Sequence, residues 1–254
     1  MIDLHCHVLA GIDDGPATFE DSLALARAAA GAGTRTLVAT PHVSWEYPNT
    51  SQTIARLVEE LGARLRRDGV ALEIRTGAEL AMTRIGDIDP QELERLTIGG
   101  GKWLLVEPPF TTVASGLDLV IADLQQRGFQ VLLAHPERCP AFHRERAMLE
   151  RLVVSGVLGS LTAGSLDGKF GSAVRRFALE LVRDGLIHNV ASDAHDHSRR
   201  APTIGEEIER AGLGALREWL TESVPAAILA DGVIPPRPGP PTARRGVRWR
   251  SSRD

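Results

Sequence analysis

Seven short β-prone runs recur along this chain, and segments of helical periodicity lie between them. The strand candidates are 2–6, 35–40, 72–77, 103–107, 130–134, 158–163 and 187–192. Helical patterns are clearest at 19–32, 51–67, 115–127, 144–155, 171–184 and 203–212. Glycines at 33, 69, 128, 156 and 185 stand between a helical run and the next strand. A glycine just past a helix end takes the left-handed conformation without steric cost, so each marks a stop. Strand–helix alternation implies parallel strands joined by crossover helices. Seven strands are too many for a small open sheet and near the number that closes a barrel. The expected fold class is α/β, a distorted (β/α)7 TIM-like barrel in a single domain over residues 1–234. A chain of 254 residues suits one such barrel. An open doubly wound sheet is disfavoured, because no glycine-rich phosphate loop follows the first strand. Gly99-Gly100-Gly101 reads as a plain loop.

Composition narrows the setting. No apolar stretch approaches the roughly 20 residues needed to span a bilayer. The N-terminus has no basic and apolar leader pattern, and His5 lies where a cleaved leader would remove it. Cys6 and Cys139, the two cysteines, suit a reducing compartment rather than a disulfide framework. These features make the expected location cytoplasmic. The net charge is −4, yet residues 235–254 carry six arginines against one acid. The body is therefore acidic and the tail basic. The tail is also proline-rich and poor in apolar residues, so it is expected to be a disordered, solvated extension. A contact with an anionic membrane surface or nucleic acid is the sharper alternative for the tail. No basic face with interleaved aromatics supports nucleic-acid binding.

The strand ends carry the chemistry. The first ends in His5-Cys6-His7, and alternation in a strand turns both imidazoles to one side. The second ends in Ala39-Thr40-Pro41-His42, and the third runs into Gly77-Ala78-Glu79. The fourth ends in Glu107-Pro108-Pro109, the fifth in Ala134-His135-Pro136-Glu137-Arg138, and the seventh in Ala191-Ser192-Asp193-Ala194-His195. In a (β/α) barrel the C-terminal strand ends converge on one mouth, where active sites lie. Five of the eight histidines stand at these ends. Five imidazoles with Glu79, Glu107 and Asp193 exceed the needs of one ion. The count suits two or three divalent metals such as Mn, Fe or Zn. The donors are nitrogen and oxygen, so Cys6 is expected to be a small buried residue facing away from the histidines.

MIDLHCHVLAGIDDG, ATPH, AHPER, LTAGSLDGKFG and ASDAH with a following arginine resemble, in order and spacing, the PHP (polymerase and histidinol phosphatase) superfamily. The similarity is greatest to its bacterial manganese-dependent protein tyrosine phosphatase branch, the CpsB/YwqE type of capsule and exopolysaccharide operons. It spans about residues 1–230. The resemblance implies a trinuclear cluster, manganese above all, held by His5, His7, His42, Glu79, Glu107, His135, Asp193 and His195. Asp14 is a further candidate ligand, although Asp13-Asp14 could equally be a turn that caps the next helix. Arg138 and Arg200 are the implied catalytic arginines, with Arg199 a competitor for the second place. The implied substrate is phosphotyrosine, and the implied partner is the tyrosine-rich tail of a bacterial tyrosine kinase that regulates capsule synthesis.

A hydroxide held between metals is the expected nucleophile, attacking phosphorus opposite the departing phenolate. Tyrosine leaves tolerably, its pKa being near 10. The cysteine-dependent phosphatase route is rejected, because Ile12 and Glu145 stand six residues after Cys6 and Cys139, where an arginine is required. Nor is there a G-x-S-x-G elbow. Ala78, Ala81, Cys139 and Asp196 depart from the family pattern at the rim and bear on substrate preference. Trp45 and Tyr47 are read as belonging to a mouth loop, either stacking on an aromatic substrate or packing at the rim. The rival function is a PHP phosphoesterase for a small molecule such as histidinol phosphate. A metal-binding regulatory barrel without activity is the third reading.

Overall fold

The computed structural model describes residues 1–239. Nine parallel-paired strands carry the fold: β1 (Ile2–Cys6), β2 (Thr36–Ala39), β3 (His42–Val43), β4 (Glu73–Thr76), β5 (Glu79–Ala81), β6 (Trp103–Glu107), β7 (Gln130–Ala134), β8 (Leu158–Thr162) and β9 (Asn189–Ala191). One sheet is ordered β1-β2-β4 and the other β3-β5-β6-β7-β8-β9. The two continue each other. Ala39 pairs with Thr76 in the first and His42 with Glu79 in the second, so the register is unchanged across the junction. The Glu79 N–H donates to the Pro41 carbonyl at 3.0 Å and spans the gap. The ring of segments is closed from β9 back to β1. There the Asp193 N–H donates to the His5 carbonyl (2.8 Å) and the His7 N–H to the Ala194 carbonyl (2.9 Å).

The expected (β/α)7 barrel is therefore present in its distorted form, with one correction. The runs 35–40 and 72–77 are not single strands that end at the site. Each breaks and resumes as a short second strand carrying His42 or Glu79. Pro41 has no N–H for the ladder, which interrupts the first. At Gly77 a Cβ would lie 2.7 Å from Val38 Cγ1, so only glycine fits where the second pair leans together.

The strands are apolar nearly throughout, because helices cover their outer faces and side chains fill the interior. Leu4, Leu37, Val38, Leu104, Leu105, Leu132, Leu133, Leu161 and Val190 are fully buried. Long crossover helices at Phe19–Gly31, Ser51–Arg67, Leu117–Gln126 and Ser172–Arg183 fall where the periodicity put them. The five stop glycines all have positive φ, from 69° to 96°. Between β5 and β6, where no helical pattern is evident, the chain forms a 3-10 turn (Met82–Asp87) and a short helix (Pro90–Arg95) capped by Asp89.

Two residues beyond Ile234 bond to the body of the protein. The Trp219 indole donates to the Pro235 carbonyl (3.0 Å), and Arg237 Nη1 to the Val182 carbonyl (2.6 Å). The rest of the Arg-rich tail, 240–254, lies outside the described residues. Among the described residues no helix is long and apolar enough to cross a membrane.

Candidate metal centre

At the C-terminal ends of the strands, five imidazoles and four carboxylates meet in one cluster, buried at His5, His7, Glu79, His135, Asp193 and His195 and open at Asp14. β1 turns His5 and His7 inward together, and their Nε2 atoms are 3.2 Å apart. β3 and β5 set His42 beside Glu79 as register partners. Glu79 lies at the centre. Its Oε2 is 3.3 Å from His5 Nε2, 3.3 Å from His7 Nε2 and 3.1 Å from His42 Nδ1. Its Oε1 is 2.9 Å from His135 Nε2. Glu107, at the end of β6, faces His42 and His135, each at 3.8 Å. Asp193 Oδ1, just beyond β9, is 3.6 Å from His5 Nε2 and 3.7 Å from His7 Nε2.

Asp14 joins the cluster from the loop after β1. Its Oδ1 is 3.2 Å from His195 Nε2 and 3.5 Å from His42 Nε2. It does not cap the following helix; Thr18 does, accepting from the Asp21 N–H at 3.2 Å. Four overlapping groups have the spacing to hold an ion: His7, Asp14, His42 and His195; His5, His7 and Asp193; His5, Glu79 and His135; His42, Glu79 and Glu107. All nine residues singled out as metal candidates fall in these groups.

The chemistry of the cluster fits divalent cations. Burial holds His42, His135 and His195 below the usual imidazole range, so they are neutral, the form that ligates metal. Burial also depresses His7, but the carboxylates of Asp13 and Glu79 outweigh it and push His7 up to about 10. Burial, reinforced by Glu79, raises Glu107 to about 8. Glu79 and Glu107 thus repel each other across His42 and His135, a repulsion that a bound cation would relieve. Glu79 Oε2 is buried without a hydrogen-bond partner although three ring nitrogens surround it, and so is His135 Nδ1. A buried carboxylate oxygen left so exposes a strong acceptor that a metal ion satisfies. Two site residues also hold left-handed backbone, His135 at φ 30° and Asp193 at φ 49°. Strained non-glycine conformations of this kind cluster at functional sites.

The tautomers are set from behind. Asp13 Oδ2 lies 2.8 Å from His7 Nδ1 and accepts from the His42 N–H at 3.1 Å. His195 Nδ1 faces the Asp193 carbonyl at 3.0 Å. With a proton held on Nδ1, neutral His195 offers its Nε2 lone pair to the cluster, and His7 does so once a bound cation displaces its second proton. Asp13 was not foreseen in this role.

The two implicated arginines approach from the open side. Arg138 Nη1 donates to Asp193 Oδ2 at 2.6 Å. Arg200 Nη2 lies 2.8 Å from the same oxygen and donates to the Asp193 carbonyl at 3.1 Å. Thr162 Oγ1 also donates to Oδ2, at 3.2 Å. Asp193 is thereby divided, one oxygen toward the imidazoles and the other toward the arginines. Asp196 accepts from the backbone N–H of both Arg199 and Arg200, and it is the Arg200 guanidinium that reaches Asp193. Glu137 is buried behind the turn that carries Arg138, accepting from the Thr162 N–H (3.1 Å) and Ser165 hydroxyl (2.7 Å).

At the rim, Tyr47 stacks on His42 with centroids 5.7 Å apart. Trp45 is 63% exposed and carries the Arg84 guanidinium 4.4 Å over its ring. Cys6 and Cys139 are free and buried. Cys6 Sγ reaches the Ala194 carbonyl and contacts no ring nitrogen.

A family model described as capsular polysaccharide synthesis, CpsB/CapC, matches residues 1–212. The chain is 34% identical over 252 residues to the tyrosine-protein phosphatase YwqE of Bacillus subtilis (strain 168), covering 96% of this chain and 98% of that protein. It superposes with a TM-score of 0.82 and 32% identity on a solved chain, covering 94% of this chain and all of the other. That chain comes from work on YwqE from Bacillus subtilis and CpsB from Streptococcus pneumoniae, described there as unique metal-dependent tyrosine phosphatases. Dihydropyrimidinase from Brevibacillus agri NCHU1002 shares the fold alone, with a TM-score of 0.54 at 15% identity, covering 89% of this chain and 69% of the enzyme.

Proposed function

This chain belongs to the CpsB/CapC capsular polysaccharide synthesis family, and from that premise we propose that it is a metal-dependent phosphatase that hydrolyses phosphotyrosine. Its natural substrate is the phosphorylated tail of a bacterial tyrosine kinase that regulates capsule or exopolysaccharide synthesis. The family match and the tyrosine phosphatase relatives support that reading. The free, buried cysteines suit a reducing compartment and support a cytoplasmic enzyme.

His5, His7, Asp14, His42, Glu79, Glu107, His135, Asp193 and His195 would hold two or three divalent ions. Nitrogen and oxygen donors without thiolate favour manganese, with iron or zinc as alternatives. Bound there, the ions supply Lewis-acid activation of water and neutralise phosphoryl charge.

The protein's own groups do the rest. Arg138 and Arg200 bind the phosphoryl oxygens, and the planar guanidinium suits that task. Arg200 Nε is buried without a partner, a donor left over for an anion. Asp193 aims both arginines while its other oxygen serves the cluster. Asp13 keeps His7 in the ligating tautomer. The tyrosyl phenolate, with a pKa of about 10, departs without strong acid assistance.

The observation that carries this reading is the divided carboxylate of Asp193, which joins an imidazole–carboxylate cluster to two arginines. The test compares initial rates on a phosphotyrosine peptide and on histidinol phosphate with manganese present. Faster turnover of the peptide is the expected result. A preference for histidinol phosphate overturns the assignment in favour of a small-molecule phosphoesterase.

A further inference from the structure

Phe110 stands at the mouth on the loop that follows Glu107. It is a large apolar side chain left 51% exposed. Its ring nevertheless stacks on His135, with centroids 5.4 Å apart and planes 29° from parallel. The Arg138 guanidinium lies 5.3 Å from the same ring. Phe110 thus touches both a candidate metal ligand and a candidate phosphate-binding arginine while keeping half its surface open.

The bland alternative is that Phe110 only clamps Arg138. Phe170 already does this from closer, 4.3 Å from the guanidinium carbon, which leaves Phe110 in excess for that purpose. Of the other rim aromatics, Tyr47 stacks on His42, and Trp45, though exposed, lies under Arg84 with its indole N–H on the Thr83 carbonyl rather than beside Arg138. The loop is also stiff. Pro108 and Pro109 restrict the backbone before Phe110, and the Cys139 thiol donates to the Pro109 carbonyl at 3.5 Å. A ring fixed in advance loses little freedom when a second ring stacks on it.

We propose that Phe110 is a specificity-determining residue, whose open ring receives the phenyl group of an aryl phosphate ester while Arg138 takes the phosphoryl group. An aryl ester places its ring one oxygen atom from phosphorus, so a phosphoryl group held at Arg138 brings the ring beside Phe110. An alkyl phosphate of serine type has no ring to stack. The proposal rests on the phosphotyrosine reading and names the group that selects the aromatic ester.

The test uses the full-length, metal-loaded protein and two non-hydrolysable probes, benzylphosphonate and methylphosphonate. Their binding constants are measured by calorimetry for the native protein, Phe110→Leu and Phe110→Trp. Offset aromatic stacking predicts a preference for the benzyl probe of about 3- to 10-fold in the native protein. Phe110→Leu should bring the ratio close to one, and Phe110→Trp should keep it. A ratio unchanged in Phe110→Leu overturns the proposal, as does an equal weakening of both probes, which is the signature of a clamp on Arg138. Turnover of a phosphotyrosine peptide by the native protein is read in parallel. Its absence removes the phosphatase reading itself, whereas turnover with an unchanged ratio removes only the role of Phe110.

Discussion

His5 and His7 face each other nitrogen to nitrogen, their Nε2 atoms 3.2 Å apart in the buried interior. Asp13 holds a proton on His7 Nδ1 at 2.8 Å, so a metal ion that displaces the second proton finds the Nε2 lone pair aimed at its neighbour. A shared cation is the natural partner for two such nitrogens beside Glu79 Oε2. Metal binding should therefore add to stability. An ion at about a thousand times its Kd contributes about 4 kcal/mol. For a domain of this size that lowers Tm by about 10 °C when a chelator strips the metal. Thermal unfolding with and without the chelator checks this, and an unchanged Tm contradicts it.

The division of Asp193 makes a separate prediction. Arg138→Ala and Arg200→Ala remove groups from Oδ2, whereas Oδ1 faces the imidazoles. Each substitution should lower kcat/KM by about 10²–10³-fold, the usual loss of one charge-stabilising donor. Metal content, measured by elemental analysis, should be nearly unchanged. Loss of metal in either variant would sink the assignment of these arginines to phosphate.

Asp13→Asn can keep the acceptor for the Gly15 N–H, but it removes the charge behind His7 and replaces the oxygen that faces His7 Nδ1 and the His42 N–H with an amide donor. Groups that orient a ligating histidine typically contribute about 10–100-fold to metal affinity. The variant should need correspondingly more manganese for half-maximal activity and approach native rates at saturation. A native manganese dependence contradicts the role given to Asp13.

Much of this site was legible because its residues are anomalous for their places. Apolar barrel strands have little use for terminal imidazoles and carboxylates, so His5, His7, His42, Glu107, His135, Asp193 and His195 stood out. Asp13 did not, because two adjacent acids after a strand carry no mark of which faces a histidine. That is decided by the Gly11–Gly15 turn, where Gly15 packs so closely on His7 that no Cβ would fit. Phe110 and Phe170 were silent for a similar reason. They meet Arg138 across loops far apart in the chain, and no local pattern records such a meeting. The strand breaks at Pro41 and Gly77 escaped because β3 and β5 are too short to show a period.

His188, remote from the cluster, should make stability depend on pH. Burial, followed by the charge of Arg237, lowers it to about 4. Its Nδ1 accepts from the Gly159 N–H at 3.2 Å, which protonation would break. The unfolded chain binds a proton at about pH 6.5, so it takes up protons that the folded protein refuses. The contribution is therefore present above pH 6.5 and lost as pH falls toward 4, amounting to about 2 kcal/mol between pH 7 and pH 5. Urea unfolding at the two pH values should show a smaller drop in His188→Gln than in the native protein. An equal drop contradicts this.

The most direct measurement is the rate of phosphate release from a phosphotyrosine peptide as manganese is titrated into the chelator-stripped protein. The expected result is no turnover without metal, then a rise that saturates at two or three equivalents per chain. Turnover that persists in the stripped protein, or its absence at every metal loading, would contradict a metal-dependent tyrosine phosphatase.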